Sequence, residues 1–443
     1  MRKVKKMLNS ERQMFPYSVR SFLPGYYKVA LSQVEGDDCI PLVKVGERVK
    51  EGQLIAQAPV TSSEMPDIHS PVPGIVEAIE DTINPDGKTG KSFKITLDGE
   101  FSFLAKKTNA LEWNVFSSAY LIDSLKSKGV INTFEKTQSL AKQINEFHDY
   151  SKKFLIVRMF DEDPSRLTDS FIAQYYTEEV VKGAYIVSKA MEADALIFAV
   201  PKNYSYEIDY SKLYGFPVLV VEVDTRKYPC GYKLNLIQSV RDYLKKNDIK
   251  HLYGKELEQD LNTYIQNSIF IDPQTSYDSF NAIVYGIPVM EHFVQITGNC
   301  LRSAAIFKVR IGTPISDLIR QCGGFKMNPS KVIVNGIISG NMISKDNFCI
   351  NKYVKYVAFI PFGETFDQNA KLCIRCGKCR LACPEELFPD LMYRHVVDNF
   401  EISTEMKKTS FLCTGCNLCN SSCPARLSLS QAIESLRNST YEK

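Results

Sequence analysis

The 443-residue chain has no uninterrupted apolar run approaching 18 residues, so nothing in it reads as a membrane-spanning helix. Any association with a membrane must come through a partner or a surface patch. Net charge is nearly absent: 54 basic residues against 51 acidic ones leave +3. No strongly basic face is implied, and nucleic acid is a poor default partner. The first twenty residues carry Arg2, Lys3, Lys5 and Lys6 with no apolar stretch behind them, so the h-region of a signal peptide is missing. Histidine is scarce. None of His69, His148, His251, His292 and His395 stands four residues from another ligand, which argues against a zinc or iron hydrolase site. No G-x-S-x-G elbow and no Walker-type loop occurs. What remains is the composition of a globular protein, 44% apolar and 24% charged, at a length that suggests about three domains.

Cysteine is the residue in excess. Of thirteen, eight crowd into the 51 residues from Cys373 to Cys423, in C-x-x-C units. Scattered pairs would suggest a secreted disulfide framework, whereas this crowding without an export signal suggests metal ligation in a reducing, cytoplasmic compartment. The first run, Cys373, Cys376, Cys379 and Cys383 followed by Pro384, is C-x2-C-x2-C-x3-C-P. The second, Cys413, Cys416, Cys419 and Cys423 followed by Pro424, repeats that spacing without change. A cubane cluster needs four thiolates disposed tetrahedrally about it, and two-residue gaps let one tight loop supply three. Gly377 and Gly415 let the backbone approach and offer N–H groups to the sulfurs. In two-cluster ferredoxins the fourth cysteine of each run ligates the other cluster. Cys373, Cys376, Cys379 and Cys423 are therefore expected to hold one 4Fe–4S cluster, and Cys413, Cys416, Cys419 and Cys383 the second. Structural zinc also uses C-x2-C pairs but gives no reason for the third and fourth cysteine of each run. Neither run lacks a ligand, as an open catalytic cluster would, so the pair reads as an electron relay with no catalytic residue. Cys39, Cys230, Cys300, Cys322 and Cys349 are isolated in sequence and are expected to be core residues. Arg375, Lys378 and Arg380 lie within the first run, either as a solvated rim or as an electropositive docking face for an acidic ferredoxin.

Ahead of the cysteines the text changes character three times. Residues 27–98 read as short strands, with Val43 to Gln53 and His69 to Val76 punctuated by Gly46, Gly52 and Gly74. This resembles the barrel-sandwich fold of biotinyl and lipoyl domains. The stretch from Ala56 to Ile68, where such a carrier would hold its cofactor, contains no lysine, so a structural module is expected. From about residue 115, strands alternate with helices: Phe154 to Val157, Ala195 to Val200 and Pro217 to Val221 read as buried strands, and Thr177 to Ala193 as a helix. That alternation implies a parallel sheet covered on both faces. Residues 275–345 return to β-rich text with glycine turns, Gly323-Gly324 among them, and look like a β-grasp domain. The expected fold class is multidomain, α/β plus β. A barrel-sandwich hybrid would span residues 1–105, a Rossmann-like α/β domain 106–270, an SLBB-like β-grasp domain 271–360 and a helical two-cluster ferredoxin domain 361–443.

This order of modules resembles the C subunit of the Rnf complex, the membrane-bound ferredoxin:NAD oxidoreductase that couples electron transfer to ion pumping. The likeness runs from about Leu23 to Ile433. It is carried by Leu31-Ser32-Gln33, Val43 to Gln53, Tyr228-Pro229-Cys230-Gly231, Arg310 to Pro314 and the first cysteine run. Cobalamin reductase shares the modules but has the barrel-sandwich at the other end. In the family the α/β domain resembles the flavin- and NADH-binding subunit of complex I, with a loop of the type G-L-G-G-A-G-F-P-T. Here the corresponding place, Lys128 to Thr137, keeps only Gly129, and Phe134 and Glu135 would obstruct a phosphate. Val157 to Pro164 replaces a second signature, and Tyr232-Lys233 replaces a Glu-Lys pair. The resemblance therefore implies a redox subunit, peripheral on the cytoplasmic side of the cell membrane. It would carry two 4Fe–4S clusters, bind no FMN or NADH in the familiar mode, and partner Rnf-like membrane subunits. The alternative is a cobalamin-reductase-like protein or an NADH dehydrogenase flavoprotein retaining FMN in an altered pocket.

Overall fold

The computed structural model describes residues 18–34, 38–59, 65–85, 87–98, 109–135, 137–150, 153–202, 204–209, 213, 215–246, 267–343, 348–362 and 371–441. Arg2, Lys3, Lys5, Lys6, Lys136 and His251 lie outside them.

The barrel-sandwich is built from an antiparallel sheet ordered Tyr26–Ala30, Thr89–Leu97, Gly74–Ile83 and Arg48–Val49. A second sheet of Ile40–Pro41, Leu54–Gln57 and Ile68–His69 faces it. Strand alternation sets its core: Tyr27 and Val29 are buried while Tyr26 and Lys28, which alternate with them, are half-exposed. Tyr27, Val29, Ile55, Val76, Phe93 and Ile95 meet in the middle. Ser18–Arg20 does not join this barrel. It pairs in parallel with Ala305–Arg310, so the chain first adds a strand to the distant β-grasp sheet.

The α/β unit has a four-stranded parallel sheet ordered Val218–Val223, Ala195–Pro201, Phe154–Arg158, Ile269–Ile271. In chain order this is 3-2-1-4, one half of a Rossmann sheet. Phe154–Arg158 is buried at every position, as a parallel strand with both faces covered must be. Leu155 and Val157 pack with the helices Ser118–Ser127, Leu140–His148 and Thr177–Ala190, and Phe154 and Ile156 pack against Lys233–Lys246 on the other side.

Residues 275–284, expected to be β-rich, are helical instead. Asp272 caps the helix Pro273–Val284 by accepting the N–H of Thr275, and Pro273 presets the first turn. That helix packs on Thr177–Ala190, so this stretch serves the α/β unit and not the β-grasp. Gly183 makes the approach feasible, since a Cβ there would lie 1.8 Å from the carbonyl oxygen of Ser276. Gly183→Ala is expected to destabilise the protein by about 1–3 kcal/mol, read as a lower urea midpoint, because the two helices must move apart.

The β-grasp unit is a six-stranded mixed sheet ordered Ser18–Arg20, Ala305–Arg310, Glu291–Thr297, Tyr356–Pro361, Pro329–Val334, Asn341–Ile343. The helix Ile315–Gln321 packs on it through Ile315, Leu318 and Ile319. Gly323 and Gly324, both at positive φ, end that helix and return N–H bonds to Arg320 and Ile319. The C-terminal unit is helical, with Lys378–Ala382 inside the first run and Pro389–Asp398 after it, and Leu418–Ser422 inside the second and Leu429–Tyr441 after it. Among the described residues no helix is long and apolar enough to cross a membrane.

Candidate metal centre

The two cysteine runs fold alike, and two left-handed residues in each make the loop wrap inward. In the first run these are Arg375 (φ 54°) and Gly377 (φ 70°). In the second they are Gly415 (φ 72°) and Asn417 (φ 58°). The glycines singled out from the sequence are thus at non-equivalent places. Each run has one left-handed position held by glycine and another held by a longer residue. A short helix follows directly in both runs, Lys378–Ala382 and Leu418–Ser422, and places the third cysteine on its first turn. Backbone N–H groups point at sulfur, that of Gly415 towards Cys413 and that of Leu418 towards Cys416.

Three cysteines of each run converge with the fourth of the other. Cys373, Cys376, Cys379 and Cys423 line one concavity, walled by Pro424, Leu427 and Leu429. Cys383, Cys413, Cys416 and Cys419 line a second, walled by Leu387, Pro389 and Ile433. Among the described residues no group of three or more His, Cys, Asp or Glu side chains closes on a single ion. A zinc site needs donors within about 2.3 Å of one point. Four sulfurs arranged around a shared, apolar-walled space fit a larger four-metal cage. The two sets differ in setting. Cys376 of the first is exposed, whereas the second lies against the body of the protein. There the Tyr228 hydroxyl donates to the Cys416 carbonyl at 2.8 Å, and Asn417 Nδ2 donates to the Ile338 carbonyl at 2.9 Å.

Of the isolated cysteines, Cys39, Cys300 and Cys322 are buried, while Cys230 and Cys349 are half-buried. Burial pushes the thiols of Cys39 and Cys230 up to about 11 and those of Cys322 and Cys349 up to about 12. Protonated at neutral pH, they are poor ligands and poor nucleophiles. Among the basic residues of the first run, Arg380 is ion-paired. Its guanidinium makes two 2.7 Å bonds to Asp390 and lies over the Phe388 ring.

The α/β unit has a second place where a ligand could sit: the crevice beyond the carboxyl ends of Phe154–Arg158 and Ile269–Ile271, where strand order reverses. Side chains of the chain itself fill it. Arg158 is fully buried, with its guanidinium 4.5 Å from the Phe134 ring centroid. It donates to the carbonyls of Phe160 and Gly231 and to the carboxylates of Glu162 and Asp169. Beside it Lys355 bonds Asp169 at 2.8 Å and Asp272 at 2.7 Å, and Thr133 Oγ1 also donates to Asp272. Glu135 accepts the backbone N–H of Lys233 at the start of the helix Lys233–Lys246, where an anion would otherwise be favoured. Gly129 caps the helix Ser118–Ser127: its N–H bonds the Lys126 carbonyl, and that of Val130 bonds Leu125, a Schellman closure. Nothing in the sequence marked this charged network, because its members are far apart in the chain. The one local signal was an arginine ending a run of buried apolar residues.

Residues 18–100 match the RnfC barrel sandwich hybrid domain, residues 293–344 the SLBB domain, and residues 370–393 with 410–426 a 4Fe-4S binding domain. The C subunit of the ion-translocating oxidoreductase complex of Rhodobacter capsulatus is 25% identical over 375 residues, covering 83% of this chain and 69% of that one. Over most of its length the chain is thus similar to the C subunits of ion-translocating oxidoreductase complexes. A further relative is the C subunit of the proton-translocating ferredoxin:NAD(+) oxidoreductase complex of Clostridium ljungdahlii. It is 25% identical over 84% of this chain and 78% of its own. Among solved structures, a chain of NAD+-reducing [NiFe]-hydrogenase aligns over 75% of this chain and 66% of its own, with 12% identity and a TM-score of 0.49.

Proposed function

We propose that this chain is the electron-transfer subunit of a membrane-associated Rnf-type oxidoreductase complex. It passes electrons through two 4Fe–4S clusters and has no NADH or FMN site of its own. The observation that carries this reading is the pair of four-cysteine concavities, each built three-plus-one from both runs. When bound, each cluster supplies one reversible electron-accepting centre. The chain's part is to hold the thiolates, aim backbone N–H groups at sulfur, and keep water back with Leu427, Leu429, Leu387 and Ile433. Membrane subunits of the complex, on the cytoplasmic side, and a ferredoxin are the partners this role requires. The filled crevice supports the absence of flavin, since Phe134, Arg158 and Glu135 are already engaged with the protein itself.

Anaerobically purified protein is expected to contain about eight iron and eight sulfide per chain, no stoichiometric flavin, and visible absorbance bleached by dithionite but not by NADH. One flavin per chain with bleaching by NADH would overturn the flavin-free part. Zinc in place of iron would overturn the whole.

A further inference from the structure

We propose that Tyr228 and Tyr232 are positioning residues of the relay: their hydroxyls form an ordered donor chain onto Cys416 that makes the set Cys383, Cys413, Cys416 and Cys419 easier to reduce. This rests on the two-cluster reading above and says what sets the balance between its two centres.

The turn after Val218–Val223 carries both rings to the second cysteine loop. Tyr232 stands just ahead of the helix Lys233–Lys246, its N–H on the Pro229 carbonyl at 3.0 Å and its own carbonyl accepting the Leu236 N–H at 2.9 Å. Tyr228 lies edge-on to it, with ring centroids 5.9 Å apart. A phenol has one proton to give. That of Tyr228 goes to the Cys416 carbonyl at 2.8 Å. The 3.1 Å bond between the two hydroxyls is therefore donated by Tyr232. The protons point one way, from Tyr232 to Tyr228 to Cys416, and each bond polarises the next. Asp163 also faces both hydroxyls but is fully engaged elsewhere. Its carboxylate accepts the N–H and hydroxyl of Ser165 at 2.9 and 2.6 Å, the N–H groups of Ile338 and Ser339 at 2.9 and 2.8 Å, and the Ser339 hydroxyl at 3.0 Å. It does not draw the phenolic protons away.

Cys416, where the chain ends, is buried, and the N–H of Leu418 points at its sulfur. Reduction adds negative charge beside this residue, so donors aimed at it favour the reduced form. Away from bulk water each such bond acts more strongly than at the surface. No proton travels with the electron, and both hydroxyls keep theirs. The first run has no counterpart. Its equivalent residue, Cys376, is exposed, and among the described residues no side chain donates to it.

The test is an EPR-monitored redox titration of the anaerobic full-length protein, reading both sets in one sample. Cys383→Ser, which spares the first set, assigns the signals. Tyr228→Phe keeps the ring and removes the proton. At a fixed ambient potential it should lower the reduced-to-oxidised ratio of the second set about threefold, the scale of one hydrogen bond between neutral groups, and leave the first set unchanged. Tyr232→Phe should lower the same ratio by less, because Tyr228 still donates. The double variant should match Tyr228→Phe alone, since Tyr232 acts only through Tyr228. Iron should stay at about eight per chain throughout. An unchanged ratio in Tyr228→Phe overturns the proposal, as does an equal shift of both sets or a Tyr232→Phe effect that adds fully to the first. Should Tyr228→Phe lose iron, Tyr232→Phe decides alone, because its hydroxyl touches no cysteine: an unaltered ratio there is equally fatal. Protein without reducible clusters would remove the relay reading and this proposal together, whereas intact clusters indifferent to both variants would remove this proposal alone.

Discussion

Replacing Cys423 with serine is expected to abolish the cluster that belongs mainly to the other cysteine run. Cys423 follows Cys419 by four residues in sequence, yet it lines the concavity of Cys373, Cys376 and Cys379. Serine is nearly the same size but offers a hydroxyl that stays protonated at neutral pH, so the cage would lose one of its four anionic ligands. Iron should fall from about eight to about four per chain, and the remaining EPR signal should be that of the set Cys383, Cys413, Cys416 and Cys419. Cys383→Ser should do the reverse and spare the first set. The two variants thus exchange the outcome a reading by sequence proximity would give. If Cys423→Ser instead empties the set built on Cys413, the three-plus-one arrangement is wrong. With one centre gone, transfer across the unit should stop, since the surviving centre has no neighbour to pass to.

The chemistry of this tail was legible because cysteine spacing is a local code. Two-residue gaps and a trailing proline set the loop, and the repeat at equal spacing implies a pair. The strands of the α/β unit were legible for a related reason: Phe154 to Val157 and Ala195 to Val200 are unbroken apolar runs, which only a sheet covered on both faces can bury. The helix Pro273–Val284 was not legible. Its apolar positions, Phe280, Ile283 and Val284, sit among serine, threonine and glutamine that are buried by neighbouring units and so give no amphipathic stripe. Ser18–Arg20 was equally silent, since a three-residue strand finds its place only through a partner almost three hundred residues away. The role of Gly129 could be reasoned from its neighbours. What fills the crevice could not, because Lys355 lies 186 residues from Asp169 and 83 from Asp272.

That long-range triad gives the second large effect. Lys355 precedes the β-grasp strand Tyr356–Pro361, while Asp169 and Asp272 belong to the α/β unit, so the ammonium bridges the two. Both carboxylates are inaccessible to solvent. Burial alone would push Asp272 up, but the charge and hydrogen bond of Lys355 and the Thr275 N–H hold it well below the ordinary carboxylate range. A carboxyl group whose acidity is increased by folding stabilises the folded state at every pH above its unfolded value of about 3.9. That contribution is lost as pH falls below this value. Lys355→Met keeps the volume and removes the charge, leaving Asp272 and one oxygen of Asp169 without their cation. The expected cost is about 3–5 kcal/mol at pH 7. The pH dependence should also change sign. With Lys355 gone, only the Thr275 N–H and the Arg158 charge still oppose the desolvation of Asp272, so its pKa rises, and acidification from pH 7 towards 4 should recover stability in the variant while the unaltered protein gains none from this group. Adding Asp272→Asn to Lys355→Met should recover part of the loss at pH 7 and remove the acid-side gain. Denaturant midpoints at the two pH values decide the matter: equal midpoint losses at pH 7 and pH 4 would mean that Lys355 acts by packing and not by charge.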